Sequence, residues 1–176
     1  VSTAATARMI NNGQSCIAAK RFIVHADVYD AFAERFRARM NQVAMGEPMS
    51  EETELGPLAN ASIRDDLADQ VERSVAGGAR LSVEGGPVDG PGYFFRPAVL
   101  EDIPADSPAR REEFFGPVAM LFRAADVEEA IGIANETDFG LGAAAFTNDA
   151  AEQARFVRDL EAGSVFLNQL VASHPR

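Results

Sequence analysis

The amino-acid sequence predicts an α/β domain, with a mainly parallel sheet flanked by helices. Three observations point there. Apolar residues alternate along the chain between short strand-like runs and longer stretches at helical spacing, as successive strand and helix units require. The connections between them are short and rich in Gly, Pro, Asn and Asp. Hydrophobic residues fill 47% of the 176 positions, enough for one core and too many for a disordered chain. With no internal repeat, low-complexity tract or interdomain linker, residues 1–176 are expected to form one domain.

The elements follow in order. Helix-like sequence begins at once, with Ser2-Thr3-Ala4-Ala5-Thr6-Ala7-Arg8. Arg21-Phe22-Ile23-Val24-His25 reads as a buried strand. Tyr29, Phe32, Ala33, Phe36, Met40 and Val43 then recur at helical spacing, with Asp27 as the candidate N-cap. Gly46, Pro48, Gly56 and Pro57 make the next stretch a loop. A helix over about Ala61 to Ala76 carries Ile63, Leu67, Val71 and Val75 on one face and stops at Gly77-Gly78. Strands are expected at Ala79–Glu84, Phe95–Leu100 and Val118–Phe122, with a turn-rich stretch from Gly85 to Gly92. Asp126 and Glu129 form a capping box that opens a helix through about Asn135. Ala143–Thr147 reads as a strand, Asn148 or Asp149 caps a helix ending near Gly163, and Ser164–Asn168 is the last strand.

Composition excludes several classes of function. The net charge of −11 repels a phosphate backbone, and the 16 basic residues are scattered apart from Arg35, Arg37 and Arg39 on one helix. No nucleic-acid partner is expected. No apolar stretch approaches a membrane span, and Gly142 breaks the longest, near Leu141–Phe146, so no membrane partner is expected either. A single cysteine rules out an internal disulfide and a multi-cysteine metal site, and suits a cytoplasmic location. His25 and His174 lie far apart, without partners at ligand spacing, and are read as structural or surface residues; no metal is expected. Val1 in place of Met, helical sequence from Ser2 and a last tripeptide, His174-Pro175-Arg176, without a stop signal read as cuts through a longer protein.

Two motifs invite a chemical reading. Gly140-Leu141-Gly142-Ala143-Ala144-Ala145 mimics a dinucleotide fingerprint, but that fingerprint needs a strand before it and a helix after it. The predicted order here is the reverse, so the glycines are read as a helix-to-strand turn. In Asn11-Asn12-Gly13-Gln14-Ser15-Cys16 a helix ends, polar turn residues follow, and the sole cysteine precedes a buried strand. A loop cysteine among backbone N–H groups can be reached by substrate and stabilised as thiolate. The alternative is a buried cysteine acting as a small hydrophobe.

Asn12-Gly13-Gln14-Ser15-Cys16 resembles the catalytic-cysteine signature of the aldehyde dehydrogenases. Glu112-Glu113-Phe114-Phe115-Gly116-Pro117-Val118 looks like that family's second hallmark. Leu55-Gly56-Pro57, Arg96-Pro97 and Asn135-Glu136-Thr137-Asp138-Phe139-Gly140-Leu141 fall in family order, so the resemblance covers essentially the whole chain.

The resemblance implies a catalytic domain of that fold, with Cys16 as nucleophile and its own backbone N–H as one oxyanion donor. It implies that Glu113 binds the nicotinamide-ribose hydroxyls of NADP or NAD and that Phe115 packs beside the nicotinamide. Against these stand a solvated acidic pair, Glu112 and Glu113, and a core Phe115. The implied reaction is oxidation of an aldehyde through a thiohemiacetal and a thioester on Cys16. The family's oxyanion asparagine, glutamate base and dinucleotide-binding domain belong upstream of Val1, and its oligomerisation strand after Arg176. The full-length protein is therefore expected to be a homo-oligomer, and this chain alone inactive. Competing readings are a cysteine acyl-transferase or hydrolase without nicotinamide, and a non-catalytic folding or assembly module.

Cys16-Ile17-Ala18-Ala19-Lys20-Arg21-Phe22-Ile23-Val24 most resembles the succinate-semialdehyde dehydrogenase branch. Some members carry a second cysteine where this chain has Ala18, and some an arginine where it has Ile10. Asn168-Gln169-Leu170-Val171-Ala172-Ser173 resembles the branch's substrate-anchoring loop, with Ser173 at the position that hydrogen-bonds the distal carboxylate. A solvent-exposed loop serine is the alternative.

Overall fold

The structure is a computed structural model that describes residues 1–173. His174 lies outside the described residues. Helix α1 (Ser2–Met9) is followed by a 3-10 turn (Ile10–Gly13), strand β1 (Arg21–His25) and helix α2 (Ala26–Asn41). After the loop come α3 (Ala61–Ala76), β2 (Arg80–Val83), β3 (Gly86–Pro87), β4 (Phe95–Arg96) and β5 (Ala98–Glu101). The remainder is α4 (Pro108–Arg111), β6 (Val118–Ala124), α5 (Val127–Asn135), β7 (Ala143–Ala145), α6 (Ala150–Asp159) and β8 (Val165–Leu167).

The main sheet has four strands in the order β1-β6-β5-β2. β6 is parallel to both neighbours, and only the edge strand β2 runs antiparallel. Strands covered on both faces read as near-continuous apolar runs, and β6 does so as Val118-Ala119-Met120-Leu121-Phe122. Its side chains divide by the two-residue strand period. Val118, Met120 and Phe122 join Leu67 and Val71 of α3 and Ile133 of α5 in one core. Ala119 and Leu121 join Tyr29, Ala33, Phe36 and Met40 of α2, with Ala5 of α1, in the other. β7 and β8 form a separate parallel pair. The expected α/β fold with a mainly parallel sheet is the one observed.

Several local expectations are corrected. The run Phe95–Leu100 is two strands, because Pro97 has no N–H to continue a ladder: Phe95–Arg96 pairs with β3, while Ala98–Glu101 enters the main sheet. The N-cap of α2 is His25, whose Nδ1 accepts from the Asp27 N–H at 3.3 Å; Asp27 sits in the first turn, where its charge suits the helix dipole. On α3 the buried face runs Leu67, Val71 and Ser74, with Val75 exposed. Ser74 tolerates burial because its hydroxyl donates to the Gln70 carbonyl at 2.7 Å. α6 is capped by Asp149 and ends at Asp159, ahead of Gly163.

The Asp126 carboxylate caps α5 by accepting from the Glu129 N–H, and Glu129 reaches back to the Ala125 N–H. Gly140 to Gly142 leads from α5 into β7, so the fingerprint look-alike opens into a strand. Two arginines of the basic cluster are tied down: Arg37 pairs with Glu101 and Arg39 with Glu54. No helix among the described residues is long and apolar enough to cross a membrane, and they hold no cluster of metal-ligating side chains.

Candidate active site

The segment leading to Cys16 is built to reverse direction tightly. Asn11, Asn12 and Gly13 all take positive φ, at 50°, 58° and 76°. Asparagine tolerates this region better than most residues with a Cβ. Gly13 meets a second demand as well, because a Cβ there would stand 2.9 Å from the Pro117 N and closer still to the Gly116 carbonyl. The turn's side chains bind a distant loop. Asn12 accepts from the Gly56 N–H at 2.9 Å and donates to the Pro57 carbonyl at 3.1 Å, while Gln14 accepts from the Ala59 N–H at 2.9 Å. The Leu55-Gly56-Pro57 motif is thus the surface on which the cysteine turn rests.

Arg8 lies beneath this turn with 0% exposure. Its guanidinium donates to the Gly13 carbonyl at 2.6 Å and to the Val118 carbonyl at 3.4 Å. Burial pushes its pKa down to about 9, against the pull of Glu113, so it remains a cation at neutral pH. Arg8 therefore fastens α1, the cysteine turn and the start of β6 to one another.

Cys16 is exposed, in a turn closed by the Ala18 N–H donating to the Ser15 carbonyl at 3.0 Å. This disfavours the reading of Cys16 as a buried small hydrophobe. Lys20 closes the turn from below. Its ammonium donates to the carbonyls of Ser15 at 3.2 Å, Ala18 at 3.3 Å and Cys16 at 3.5 Å. The same Nζ lies 3.0 Å from Glu113 Oε1 and 5.7 Å from the centroid of the Phe115 ring. Burial lowers the Lys20 pKa, against the hydrogen bond to Glu113.

The second motif divides its side chains between two environments. Glu112 faces α3, where Arg73 grips both carboxylate oxygens at 2.8 and 2.9 Å and Gln70 donates at 3.0 Å. The Arg73 hydrogen bond holds the Glu112 pKa below the usual carboxylate range. Phe114 is fully buried in the core. Glu113 and Phe115 lie half-buried on the side of Lys20, and Gln70 also donates to the Glu113 carbonyl at 3.2 Å. Glu112 and Glu113 are thus not one solvated acidic pair, and Phe115 is not a fully buried core residue.

Cys16, Glu113 and Phe115 therefore meet through Lys20. Ser173 is not joined to them by any hydrogen bond among the described residues; it is exposed on the segment after β8. That segment is anchored further back, where the Asn168 side chain accepts from the Thr147 N–H and donates to its carbonyl, both at 3.0 Å. Lys20, Arg8 and Gln70 were not among the residues marked in the sequence. Lys20 is marked by its place between the cysteine turn and β1, four residues after Cys16. An arginine following Ala4 and Ala5 on the inner face of α1 marks Arg8.

The chemistry available is nucleophilic addition by an exposed thiol, in a turn that Lys20 ties to the Glu113 carboxylate. The described residues suit the nicotinamide end of a dinucleotide, where a fixed carboxylate can accept from hydroxyls. They offer no glycine-rich turn into a helix for its phosphates, since the Gly140–Gly142 segment runs into β7.

Residues 1–176 match the aldehyde dehydrogenase family. The chain belongs to that family. A succinate-semialdehyde dehydrogenase [NADP(+)] of Mycolicibacterium paratuberculosis is 57% identical over 175 residues, which cover 99% of this chain and 37% of that protein. The corresponding Mycobacterium avium enzyme is 56% identical over the same coverage. Among solved structures, a succinic semialdehyde dehydrogenase from Streptococcus pyogenes in complex with NADP+ superposes with a TM-score of 0.93 at 34% identity, over 99% of this chain and 38% of that one. Lactaldehyde dehydrogenase from Escherichia coli gives 0.94 at 32% identity, over 98% of this chain and 36% of that one. The chain spans a little over a third of the length of these relatives.

Proposed function

We propose that this chain is the cysteine-bearing domain of an NADP- or NAD-dependent aldehyde dehydrogenase that oxidises succinate semialdehyde to succinate. The observation that carries the reading is the exposed Cys16 in a turn whose Lys20 holds Glu113. The substrate, and NADP as the preferred cofactor, are supported by relatives of that name at 52–57% identity. The whole enzyme, on this reading, is a cytoplasmic homo-oligomer.

Cys16 thiolate adds to the aldehyde carbon and the carbonyl electron pair moves to oxygen, giving a tetrahedral adduct. The Cys16 backbone N–H is one donor for that oxyanion. A nicotinamide held there would supply the acceptor for the hydride that the adduct releases. Glu113 would accept from the ribose hydroxyls and Phe115 would pack beside the ring, so both would restrict how the cofactor lies. Water then cleaves the thioester left on Cys16, and sulfur serves as nucleophile first and leaving group second. The chain covers 37% of its Mycolicibacterium paratuberculosis relative, and on this reading the base for that water and the second oxyanion donor belong to the rest of the enzyme.

The test is Cys16→Ala in the full-length protein. Aldehyde oxidation is expected to vanish while NADP binding persists; near-normal turnover in that variant would reject Cys16 as nucleophile.

A further inference from the structure

The structure assigns Lys20 a role as the positioning residue that holds the Glu113 carboxylate in register with the Cys16 turn. This rests on the reading of Glu113 as a cofactor ligand. Lys20 is anchored first, by the carbonyls of Ser15, Cys16 and Ala18 at 3.2–3.5 Å. It lies at the mouth of β1, whose register against β6 is fixed from Arg21↔Met120 onward, so the root of its side chain does not wander. Its ammonium then reaches Glu113 Oε1 at 3.0 Å, while the Lys20 side chain is only 15% exposed. The three N–H donors of the ammonium are shared among these carbonyls and Glu113, and the carboxylate, at 3.0 Å, is the nearest of the four and the one that carries charge.

The consequence for Glu113 is order. A glutamate side chain free to sample its rotamers loses that freedom when it accepts from a ligand. Here the loss has been incurred before a ligand arrives, and Oε2 carries no hydrogen bond among the described residues. Glu113 is held on its main chain as well, by Gln70, so Lys20 acts on the side chain and Gln70 on the backbone. The thiol turn and the carboxylate share one cation, which couples the place of the nucleophile to the place of the cofactor.

The experiment compares wild type, Lys20→Met, Lys20→Arg, Glu113→Gln and the double variant Lys20→Met/Glu113→Gln in the full-length protein. NADP affinity is read directly by titration calorimetry, with steady-state constants measured alongside. Loss of a charge-assisted contact in Lys20→Met is expected to weaken NADP binding about tenfold, with the aldehyde KM changing less than about twofold. Lys20→Arg keeps the cation and should recover most of the loss. The double variant should bind NADP no more weakly than Glu113→Gln alone, because both changes remove the same contact. Unchanged NADP affinity in Lys20→Met, when Glu113→Gln has lost it, overturns the role of Lys20 and leaves Glu113 standing. Multiplying losses in the double variant also overturn it. Unchanged affinity in Glu113→Gln overturns the reading of Glu113 itself. If Lys20→Met does not fold, Lys20→Gln removes the charge while keeping a donor, and the same comparisons decide.

Discussion

The backbones of Gly13 and Gly116 touch: a Cβ placed on Gly13 would fall inside the contact distance of the Gly116 carbonyl. Gly116 is confined in turn, since a Cβ there would run into the Leu67 side chain of α3. Two glycines from different motifs thus bring the thiol turn against the segment that carries Glu113 and Phe115. A Cβ on Gly13 forces that contact apart, whereas one on Gly116 has to displace the Leu67 side chain.

Gly13→Ala is therefore expected to destabilise the chain by about 2–3 kcal/mol, from backbone overpacking together with a positive φ. The control is Gly132, inside α5, where a Cβ meets nothing within 4 Å. Gly132→Ala should stabilise by about 0.5–1 kcal/mol, because alanine favours the helix and restricts the unfolded chain. Urea midpoints at unchanged slope measure both. A Gly13→Ala variant as stable as wild type would show that the two backbones can separate at little cost.

Glu101, the last residue of β5, is a buried carboxylate at the other end of the parallel strands from Lys20. Its side chain is 1% exposed and accepts from Arg37 at 2.8 Å, Arg80 at 2.7 Å and the Tyr29 hydroxyl at 3.2 Å. Burial alone would raise its pKa, but the Ser82 hydroxyl, Arg37 and Arg80 outweigh burial and hold it below the usual glutamate value. Burial, with Glu101 beside it, pushes the Tyr29 hydroxyl up to about 12, so it stays protonated as a donor. A folded-state pKa below the unfolded one gives stability that is present above the unfolded value and lost as pH falls through the folded value. Glu101→Gln should cost about 2–4 kcal/mol at pH 7, since it takes from Arg37 its carboxylate and leaves Arg80 only Asp102. The gap between wild type and variant should close as the pH falls below the ordinary glutamate range. A gap that stays constant from neutral to acid pH would mean that the charge of Glu101 contributes nothing.

The substrate assignment turns on a carboxylate one chain length from the thiol. If Ser173 donates to it, the hydroxyl contributes about 0.5–1.5 kcal/mol, or up to about 3 kcal/mol to a charged acceptor. Ser173→Ala in the full-length enzyme should then raise the KM for succinate semialdehyde roughly tenfold, with kcat less affected. A cationic group elsewhere in the enzyme must supply the remainder, because Ile10 cannot. The measurement compares kcat/KM for succinate semialdehyde and for butyraldehyde, which lacks the carboxylate. Equal use of both by wild type rejects the substrate. A strong preference that survives Ser173→Ala keeps the substrate and rejects the residue.

The order of strands and helices was legible in the sequence because each segment's apolar period states which face it buries, and that is a local property. Arg21–His25 and Ala61–Ala76 have the expected bounds for this reason. Cys16, Glu113 and Phe115 stand out as candidates in the sequence because each sits in a short contiguous motif. Tertiary structure decided how those motifs meet. Glu112 and Glu113 are neighbours in sequence, yet Arg73 takes one and Lys20 the other. Lys20 and Arg8 gain their importance from groups far along the chain, Glu113 and the Val118 carbonyl, which the β1–β6 register and the Gly13–Gly116 approach bring within reach. Pro97 divides one apolar run between two sheets, and His25 displaces Asp27 as a cap, because both depend on where neighbouring backbone lies. Periodicity fixes what a segment buries; the partner of a charged side chain is fixed by which backbones come within hydrogen-bond distance, and that is a property of the assembled sheet.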